Sequence, residues 1–335
     1  ESLLEQHFTS AQTVQPNEQS SDTTLDYKPG DKIGAFKILN VLGEGGQGIV
    51  YLAEQSKPVK RRVALKVIKA GMDTKQVIAR FEAERQALAI MNHPGIAQVY
   101  EAGATEHGRP YFVMEHVKGM PITDACDELK LTTDQRLELM AKVCDAVQHA
   151  HSKMIIHRDL KPNNILVSLD DKKLEPKIID FGVARSTDSD MAVTTLQTDV
   201  GQLVGTLQYM SPEQCDPDPS DIDTRSDLYS LGMILYELLT GMLPYSVVGA
   251  AIHEAVRMVQ EEEPARLSTI NRRLRGDVET ITLKALEKNR DRRYQSATAL
   301  EEDIMRYLAG DPIAARRPSF WFHLKRFATR HTAAA

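Results

Sequence analysis

The sequence predicts an α+β protein of two lobes: a small antiparallel β lobe with one helix, and a larger, mainly α-helical lobe. Short runs of strand-like composition, separated by turns, fill the first third of the chain from Phe36 onward. After residue 118, apolar residues recur at helical spacing in several long segments. No internal repeat is evident, so the two lobes are expected to differ in architecture.

The bulk composition is that of a soluble globular protein, because 42% of the residues are hydrophobic and 26% are charged. A chain of 335 residues can form two lobes with an ample core. The net charge of −6 gives no reason to expect nucleic acid as a partner. The three cysteines, Cys126, Cys144 and Cys215, are scattered, which argues against a disulfide framework and fits a reducing compartment.

The chain starts with Glu1 rather than Met, so we expect a fragment or processed form of a longer protein. No signal peptide is visible, and no run approaches the roughly 20 apolar residues that a membrane-spanning helix requires. A membrane span elsewhere in the parent protein stays an open alternative.

The small lobe is predicted to follow a disordered leader, residues 1 to about 30, which is rich in Gln, Ser and Thr. The turn at Pro29 and Gly30 starts the ordered part. Five strands are predicted, at residues 36–39, 49–52, 63–68, 99–102 and 111–114. Between the third and fourth strands, apolar residues at helical spacing predict a helix over 75–91.

The large lobe is predicted to be built from helices. Thr133 is the predicted cap of the first long helix, which would bury Leu137 and Met140. A second apolar helix is predicted over 226–240, ending at Gly241. Further helices are predicted over 248–260, 277–288 and 296–308, and a short strand hairpin over 165–167 and 177–179.

The tail, residues 309–335, is both basic and aromatic. Its basic residues are Arg316, Arg317, Lys325, Arg326 and Arg330, and they flank Phe320, Trp321, Phe322 and Phe327. One interpretation is a segment that docks onto the large lobe or is simply solvated. The other is a segment beside a membrane surface, as basic amphipathic stretches often are. The sequence leaves both open.

The motif that carries the most chemical information is the octet His157-Arg158-Asp159-Leu160-Lys161-Pro162-Asn163-Asn164, followed after the hairpin by Asp180-Phe181-Gly182. It places a base, a cation and two oxygen ligands for Mg²⁺ on neighbouring loops, a set suited to moving the γ-phosphoryl group of ATP to a hydroxyl. A His-Arg-Asp triplet alone can be a surface turn. The complete set at this spacing is far less frequent by chance.

On these motifs the chain resembles eukaryotic-like serine/threonine protein kinases, most closely those of the bacterial receptor-like type. The resemblance covers about residues 36–308 and implies the bilobal protein kinase fold, with a small lobe over about 36–115 and a large lobe over about 118–308. It implies Asp159 as the base, Lys161 as a cation beside the transferred phosphoryl, and Asn164 and Asp180 as ligands of Mg²⁺, for which Mn²⁺ can substitute.

The sequence Gly43-Glu44-Gly45-Gly46-Gln47-Gly48 fits G-x-G-x-x-G, which dinucleotide-binding folds also use. Here it lies between two predicted strands, and Lys66 stands where those folds carry an acidic residue. A phosphate-binding hairpin and an ordinary glycine turn are both compatible with the pattern. The resemblance implies that Lys66 reaches the ATP phosphates and pairs with Glu84, although Glu84 can equally be a solvated helix residue.

The resemblance also implies an adenine pocket and several structural contacts. Backbone groups of Glu115 and Val117 would supply the hydrogen bonds in the pocket, and its walls would be Leu42, Val50, Ala64, Met114, Leu166 and Ile179. Apolar residues like these are core by default. Structurally, Glu213 is expected to pair with Arg293, Asp227 to accept backbone hydrogen bonds from the catalytic loop, and Thr206 to lie near the substrate platform. Phosphate on Thr194, Thr195 or Thr198 is expected to pair with Arg158 and order the activation segment.

Three functions compete: an active protein kinase, a pseudokinase that only binds or scaffolds, and a kinase of small molecules. The complete set of Lys66, Glu84, Asp159, Asn164 and Asp180 favours the active enzyme. The Ser-Pro-Glu closure at 211–213 favours a protein substrate. The expected partners are protein substrates, a second copy of the chain for trans-phosphorylation, and a membrane surface through the tail. The expected location is a cytoplasmic domain of a protein anchored in the membrane beyond residue 335.

Overall fold

A computed structural model describes residues 27–45, 48–68, 91–170, 173–181, 207–216, 218, 221–245 and 250–316. Its small lobe is a six-stranded antiparallel sheet, in which strand order is β1-β2-β3-β4-β6-β5. The strands are β1 Lys32–Ile33, β2 Phe36–Gly45, β3 Gly48–Gln55, β4 Arg61–Ile68, β5 Val99–Ala104 and β6 Pro110–Glu115. All five predicted strands are present, as β2 to β6. The sixth strand, β1, was not predicted, because two residues are too few to show a periodic pattern. The predicted helix over 75–91 falls almost entirely outside the described residues.

The two faces of the small-lobe sheet pack into different apolar clusters, because side chains alternate between the faces along a strand. On one face, Val63, Leu65 and Val67 of β4 join a buried cluster with Phe36 and Tyr51. On the other face, Ala64 belongs to the apolar cluster that continues into the large lobe. Alternation along β4 therefore directs Lys66 to the same side as Ala64, towards the boundary between the lobes.

The large lobe contains a three-stranded sheet and seven helices within the described residues. The strands are β7 Met120–Pro121, β8 Ile165–Asp170 and β9 Lys173–Ile178, in the order β7-β8-β9. The helices are α1 Ile122–Glu128, α2 Thr133–Ser152, α3 Thr224–Thr240, α4 Ile252–Glu261, α5 Leu267–Ile270, α6 Asp277–Ala285 and α7 Ala297–Leu308. Three short 3-10 turns connect them, at Pro162–Asn164, Pro212–Cys215 and Arg272–Leu274.

Local side-chain chemistry sets the helix ends. The cap of α2 is Thr132, not Thr133, because Thr132 and Gln135 form a reciprocal capping box. Asp223 caps α3, which therefore starts at Thr224, and Gly241 ends it in the left-handed conformation at φ 75°. Helix α6 ends at Ala285, three residues before the predicted end.

One apolar core spans both lobes and surrounds the candidate site. It includes Ala64 and Met114 of the small lobe, Ile178 and Phe181 between the lobes, and Leu160 of the large lobe. Helix α3 lies at its centre, with most of its residues buried. The site therefore lies on a packed frame that connects the two lobes.

The chain after α7 folds back onto the large lobe. The buried carboxylate of Asp303 accepts the backbone N–H groups of Ala314 at 2.6 Å and Ala315 at 2.8 Å. Ile313 between these elements is buried. The tail beyond Arg316 lies outside the described residues, as do the leader through residue 26 and residues 182–206. Within the described ranges, none of the helices combines the length and apolar character needed to span a bilayer.

Candidate active site

Lys66 is held in the interior by a carboxylate of the other lobe. Its side chain is 7% exposed, and Nζ lies 2.6 Å from Oδ1 and 2.7 Å from Oδ2 of Asp180. A buried ammonium requires such a partner, because leaving it unpaired in the interior is costly. The predicted partner Glu84 lies outside the described residues. The contact joins two predicted site residues that are 114 positions apart in the chain.

Asp180 is positioned by the residues on either side of it. Before it, Ile178 at the end of β9 exchanges backbone hydrogen bonds with Gly95 at 2.8 Å and Ala97 at 2.9 Å. After it, Phe181 is buried and its ring centroid lies 4.6 Å from that of His157. Asp180 itself has φ 60°, a conformation that is uncommon outside glycine and is held here by its anchored neighbours.

The catalytic-loop residues contact one another directly. Lys161 Nζ lies 3.0 Å from Asp159 Oδ2. Asn164 Nδ2 donates to the Asp159 carbonyl at 2.7 Å and lies 3.4 Å from its Oδ2. The N–H of Ile179 donates to the Asn164 carbonyl at 2.9 Å, which links this loop to the residue before Asp180. Lys66 thus contacts Asp180, and the residue before Asp180 is hydrogen-bonded to Asn164, which contacts Asp159. Asp159 in turn contacts Lys161.

Asp227 of α3 anchors the backbone of the loop that contains His157 and Arg158. Its carboxylate accepts the N–H groups of His157 at 2.8 Å and Arg158 at 2.9 Å, and His151 Nε2 lies 2.7 Å away. Burial alone would raise the pKa of Asp227, but the contacts with His151 and His157 outweigh it and lower that pKa. Burial lowers the pKa of His157, whose ring packs against Phe181. His151 was not predicted from the sequence, because no local pattern marks it as a partner of Asp227.

Glu213 and Arg293 form a two-pronged ion pair in the large lobe. Arg293 Nη1 and Nη2 lie 2.6 and 2.7 Å from the two carboxylate oxygens, and the Arg293 side chain is fully buried. Burial would raise the pKa of Glu213, but the hydrogen bonds from Arg293 lower it below its usual range. The neighbouring Gln214 donates to the Arg158 carbonyl at 2.8 Å, a link that the sequence did not predict. Thr206, Thr194, Thr195 and Thr198 lie outside the described residues.

The glycine-rich hairpin joins β2 to β3, with Gly43, Glu44 and Gly45 on the first strand and Gly48 on the second. Gly46 and Gln47 lie outside the described residues. A Cβ at Gly48 would lie 2.1 Å from the Val67 carbonyl oxygen, so the sheet itself requires glycine there. A Cβ at Gly43 or Gly45 would meet no atom within 4 Å. Packing within the described chain therefore gives no reason for glycine at those two positions.

The predicted adenine walls are distributed over both lobes. Ala64 pairs in register with Met114 across β4 and β6, and Val50 packs half-buried against the same cluster. Leu42 on β2 is 46% exposed. Leu166 of the large lobe is half-buried on β8.

The segment that follows β6 connects the lobes and contains Glu115 and Val117. The N–H of Glu115 donates to the Gln98 carbonyl at 2.8 Å, so this backbone donor is engaged within the small lobe. The Glu115 carboxylate accepts Lys177 Nζ at 2.6 Å, an ion pair that the sequence did not predict. Val117 is half-buried two residues further on.

The oxygen donors fit a divalent cation that shares its coordination with phosphate. Asn164 uses its amide nitrogen within the loop, which orients its amide oxygen as an acceptor, and Asp180 supplies a carboxylate. Hard oxygen ligands of this kind suit Mg²⁺ or Mn²⁺. In the described parts of the chain, no group of three or more His, Cys, Asp and Glu side chains is arranged to hold a metal. Phosphate oxygens of a nucleotide and water molecules would complete the coordination of such a cation.

Comparison with known families agrees with this geometry. Residues 36–305 match the protein kinase domain family. Serine/threonine-protein kinase PknB of Mycobacterium leprae is 36% identical over 282 residues, covering 83% of this chain and 43% of that protein. PknB of Mycobacterium tuberculosis is 38% identical over 283 residues with the same coverage. Serine/threonine-protein kinase Pkn1 of Myxococcus xanthus is 36% identical over 282 residues, covering 84% and 39%. The chain thus spans less than half the length of these relatives.

Solved structures show the same fold. The crystal structure of the Mycobacterium tuberculosis PknI kinase domain superposes with a TM-score of 0.64. It is 22% identical in sequence, and the match covers 85% of this chain and all of that one. At this identity the likeness concerns the fold alone.

Proposed function

Because this chain belongs to the protein kinase domain family, we propose that it transfers the γ-phosphoryl group of ATP to serine and threonine hydroxyls of proteins. The observation that carries the proposal is that Lys66 contacts Asp180 while Ile179, the residue before Asp180, is hydrogen-bonded to Asn164, which in turn contacts Asp159. These residues come from both lobes and meet where the lobes join.

In the proposed reaction, Asp159 orients the substrate hydroxyl and accepts its proton on a carboxylate oxygen. The hydroxyl oxygen forms a bond to the γ-phosphorus while the bond from that phosphorus to the β–γ bridging oxygen breaks, and ADP leaves. Asn164 Nδ2 donates to the backbone carbonyl of Asp159, and Lys161 Nζ donates to Asp159 Oδ2. The Asp159 carboxylate is therefore held in place before substrate binds. Lys161 is placed 3.0 Å from that oxygen, where its charge would also stabilise the transferred phosphoryl group.

ATP would bind between the lobes. Ala64, Val50, Met114, Leu42 and Leu166 would enclose the adenine, with hydrogen bonds from backbone groups of the segment containing Glu115 and Val117. Lys66 would contact the α- and β-phosphates, together with Glu84 as its second partner. The glycine-rich hairpin would bring its backbone N–H groups onto the phosphates, and the open space around Gly43 and Gly45 supports that approach.

Asn164 and Asp180 would hold the divalent cation, for which we propose Mg²⁺ with Mn²⁺ as a substitute. When bound, this cation neutralises charge on the phosphates. In this structure both carboxylate oxygens of Asp180 contact the Lys66 ammonium. When nucleotide and cation bind, we expect the same carboxylate to contact both the ammonium and the cation.

Regulation is proposed to act through the activation segment. A phosphate on Thr194, Thr195 or Thr198 would pair with Arg158, whose backbone is fixed by Asp227 and Gln214. Mass spectrometry of the active enzyme should find phosphate on at least one of these threonines. An active enzyme with no phosphate in the segment would overturn this part of the proposal.

The partners beyond protein substrates are also proposals. Phosphorylation in trans requires an encounter between two copies of the chain, which we propose occurs through a homodimer. The basic, aromatic tail supports contact with a membrane surface, with the kinase domain on the cytoplasmic side and an anchor beyond residue 335.

The direct test is phosphorylation of a panel of proteins with γ-labelled ATP and Mg²⁺, followed by identification of the phosphorylated amino acids. We expect phosphoserine and phosphothreonine. The matched control is Lys66→Met, which should remove transfer while its thermal unfolding shows a folded protein. Labelled small molecules without labelled protein, or equal transfer by Lys66→Met, would contradict the proposal.

A further inference from the structure

An ion pair joins the two lobes beside the proposed adenine pocket. Glu115 ends strand β6 of the small lobe, and Lys177 lies on strand β9 of the large lobe. Lys177 Nζ lies 2.6 Å from Glu115 Oε1, and the two side chains are 24% and 29% exposed, respectively. Among the described residues, the Glu115 carboxylate is the only hydrogen-bond or ion-pair partner of the Lys177 side chain.

The Glu115 carboxylate is itself positioned by the small lobe. Its second oxygen, Oε2, accepts the N–H of Gln98 at 3.3 Å, and the N–H of Glu115 donates to the Gln98 carbonyl at 2.8 Å. Glu115 also pairs in register with Val63 across β6 and β4. A lysine that binds this carboxylate is therefore attached to the sheet of the small lobe.

Each partner of the ion pair lies next to a predicted wall of the adenine pocket. Lys177 pairs in register with Leu166 across β9 and β8. Glu115 directly follows Met114, which pairs in register with Ala64 across β6 and β4. The ion pair therefore connects the strands that carry the small-lobe walls to the strand pair that carries the large-lobe wall.

The stretch of chain at 177–180 makes two ammonium–carboxylate contacts with the small lobe. Lys177 binds Glu115, and three positions later Asp180 binds Lys66 at 2.6 Å. The first contact lies where the adenine is expected, and the second lies where the phosphates are expected. The separation of the lobes is thus held at both ends of the proposed nucleotide site.

We propose that Lys177 is a positioning residue for ATP, which acts through Glu115 to set the separation between the two walls of the adenine pocket. This inference rests on the proposed function, because it concerns the same nucleotide site. A planar base is bound well only when the walls on its two faces lie at one separation. Fixing that separation before the base arrives reduces the entropic cost of binding.

The test measures the affinity of the full 335-residue chain for ATP with Mg²⁺ by calorimetric titration, and kcat separately on a protein substrate. The ion pair is partly exposed, so we expect Lys177→Met to bind ATP about three- to fivefold more weakly, with kcat within about twofold of wild type. Lys177→Arg keeps the charge and should restore the affinity to within about twofold of wild type. The loss in Lys177→Met should shrink from about 0.1 M to about 1 M salt, because ions screen the pair.

The matched control is Lys142→Met. Lys142 Nζ lies 2.8 Å from Glu175 Oε1, so this change removes an ion pair on the same strand β9 that stays within the large lobe. It should leave ATP affinity within about 1.5-fold of wild type.

A double-mutant cycle with Glu115→Gln tests whether Lys177 acts through Glu115. In the Glu115→Gln background the ion pair is already absent. Adding Lys177→Met to that background should therefore change ATP affinity by less than about 1.5-fold.

Three results would overturn the inference. They are an ATP affinity of Lys177→Met that matches wild type, equal losses in Lys177→Met and Lys142→Met, and losses in the cycle that multiply independently. Phosphorylation of protein by the wild type is measured in parallel, so each of these results can be separated from a failure of the kinase function. Wild type that binds ATP but labels no protein would contradict the proposed function alone, and wild type that binds no ATP would contradict both.

Discussion

The carboxylate of Asp227 accepts backbone hydrogen bonds from both His157, at 2.8 Å, and Arg158, at 2.9 Å. Asp227 is 1% exposed and belongs to helix α3, the central helix of the large lobe. The residue after Arg158 is Asp159. This contact therefore connects the proposed base to the core, and stability and activity should both depend on it.

Asp227→Ala should unfold more readily and phosphorylate more slowly. It leaves His151 and two loop N–H groups buried without their acceptor, so we expect a loss of about 3–5 kcal/mol in the free energy of unfolding. The control is Asp291→Ala, which removes an exposed carboxylate from Arg225 and should cost less than about 1 kcal/mol. Urea denaturation measures both. Similar losses in the two variants would show that burial of Asp227 does not matter.

The ion pair with Glu213 should require arginine, rather than lysine, at position 293. Arg293 also donates to the carbonyls of Glu287, Arg225 and Lys288, so no other side chain meets all its partners. We expect Arg293→Met to lower the free energy of unfolding by about 3–5 kcal/mol. Arg293→Lys should recover less than half of that loss, because an ammonium cannot bind two oxygens in a fork. Full recovery with lysine would mean that charge alone is sufficient.

The sequence predicted the parts of the fold that have strong local patterns. The later strands, the long helices and the cap at Gly241 follow from alternation, periodicity and the conformational freedom of glycine. The two-residue strand β1 carries too few side chains for any pattern. The misplaced cap of α2 was avoidable, because Thr132 is followed three positions later by Gln135, the signature of a capping box.

The glycines of the hairpin should separate into two classes. Gly48→Ala should lower the free energy of unfolding by about 1–3 kcal/mol, because its Cβ would collide with the Val67 carbonyl in the neighbouring strand. Gly45→Ala meets no atom within 4 Å and should change stability by less than about 0.5 kcal/mol. Thermal unfolding and ATP titration together test this. Equal destabilisation by both changes would contradict the assignment.

Lys288 should make stability depend on pH. It donates to the Val259 carbonyl at 2.6 Å and to Tyr245 at 2.8 Å. Burial lowers its pKa to about 8 from 10.5, with Glu263 opposing and Arg293 adding to the shift. Between these two values the folded protein has released this proton while the unfolded chain still holds it.

Stability should therefore rise with pH in that window for wild type relative to Lys288→Met. Urea unfolding at about pH 7 and about pH 9.5 measures the difference. If the two proteins show parallel pH profiles of stability, the pKa of Lys288 is not lowered in the folded protein. A difference that falls with rising pH would reverse the sign and contradict burial as the cause.

The site was less predictable than the fold where contacts join distant parts of the chain. The motifs predicted Asp159, Asn164 and Asp180 as site residues, because residue type and spacing within each loop carry that information. Pairing between loops has no such signal, so the contact of Lys66 with Asp180 required the three-dimensional structure. The same holds for the ion pair between Lys177 and Glu115, two residues that are 62 positions apart.

The central claim is that Asp159 serves as the base of phosphoryl transfer to protein hydroxyls. The most direct measurement compares kcat for wild type and Asp159→Asn on one protein substrate, with ATP affinity measured separately for both. We predict that kcat falls by about 10²–10⁴-fold while ATP affinity changes less than about threefold. Equal turnover by Asp159→Asn and wild type would contradict the assignment.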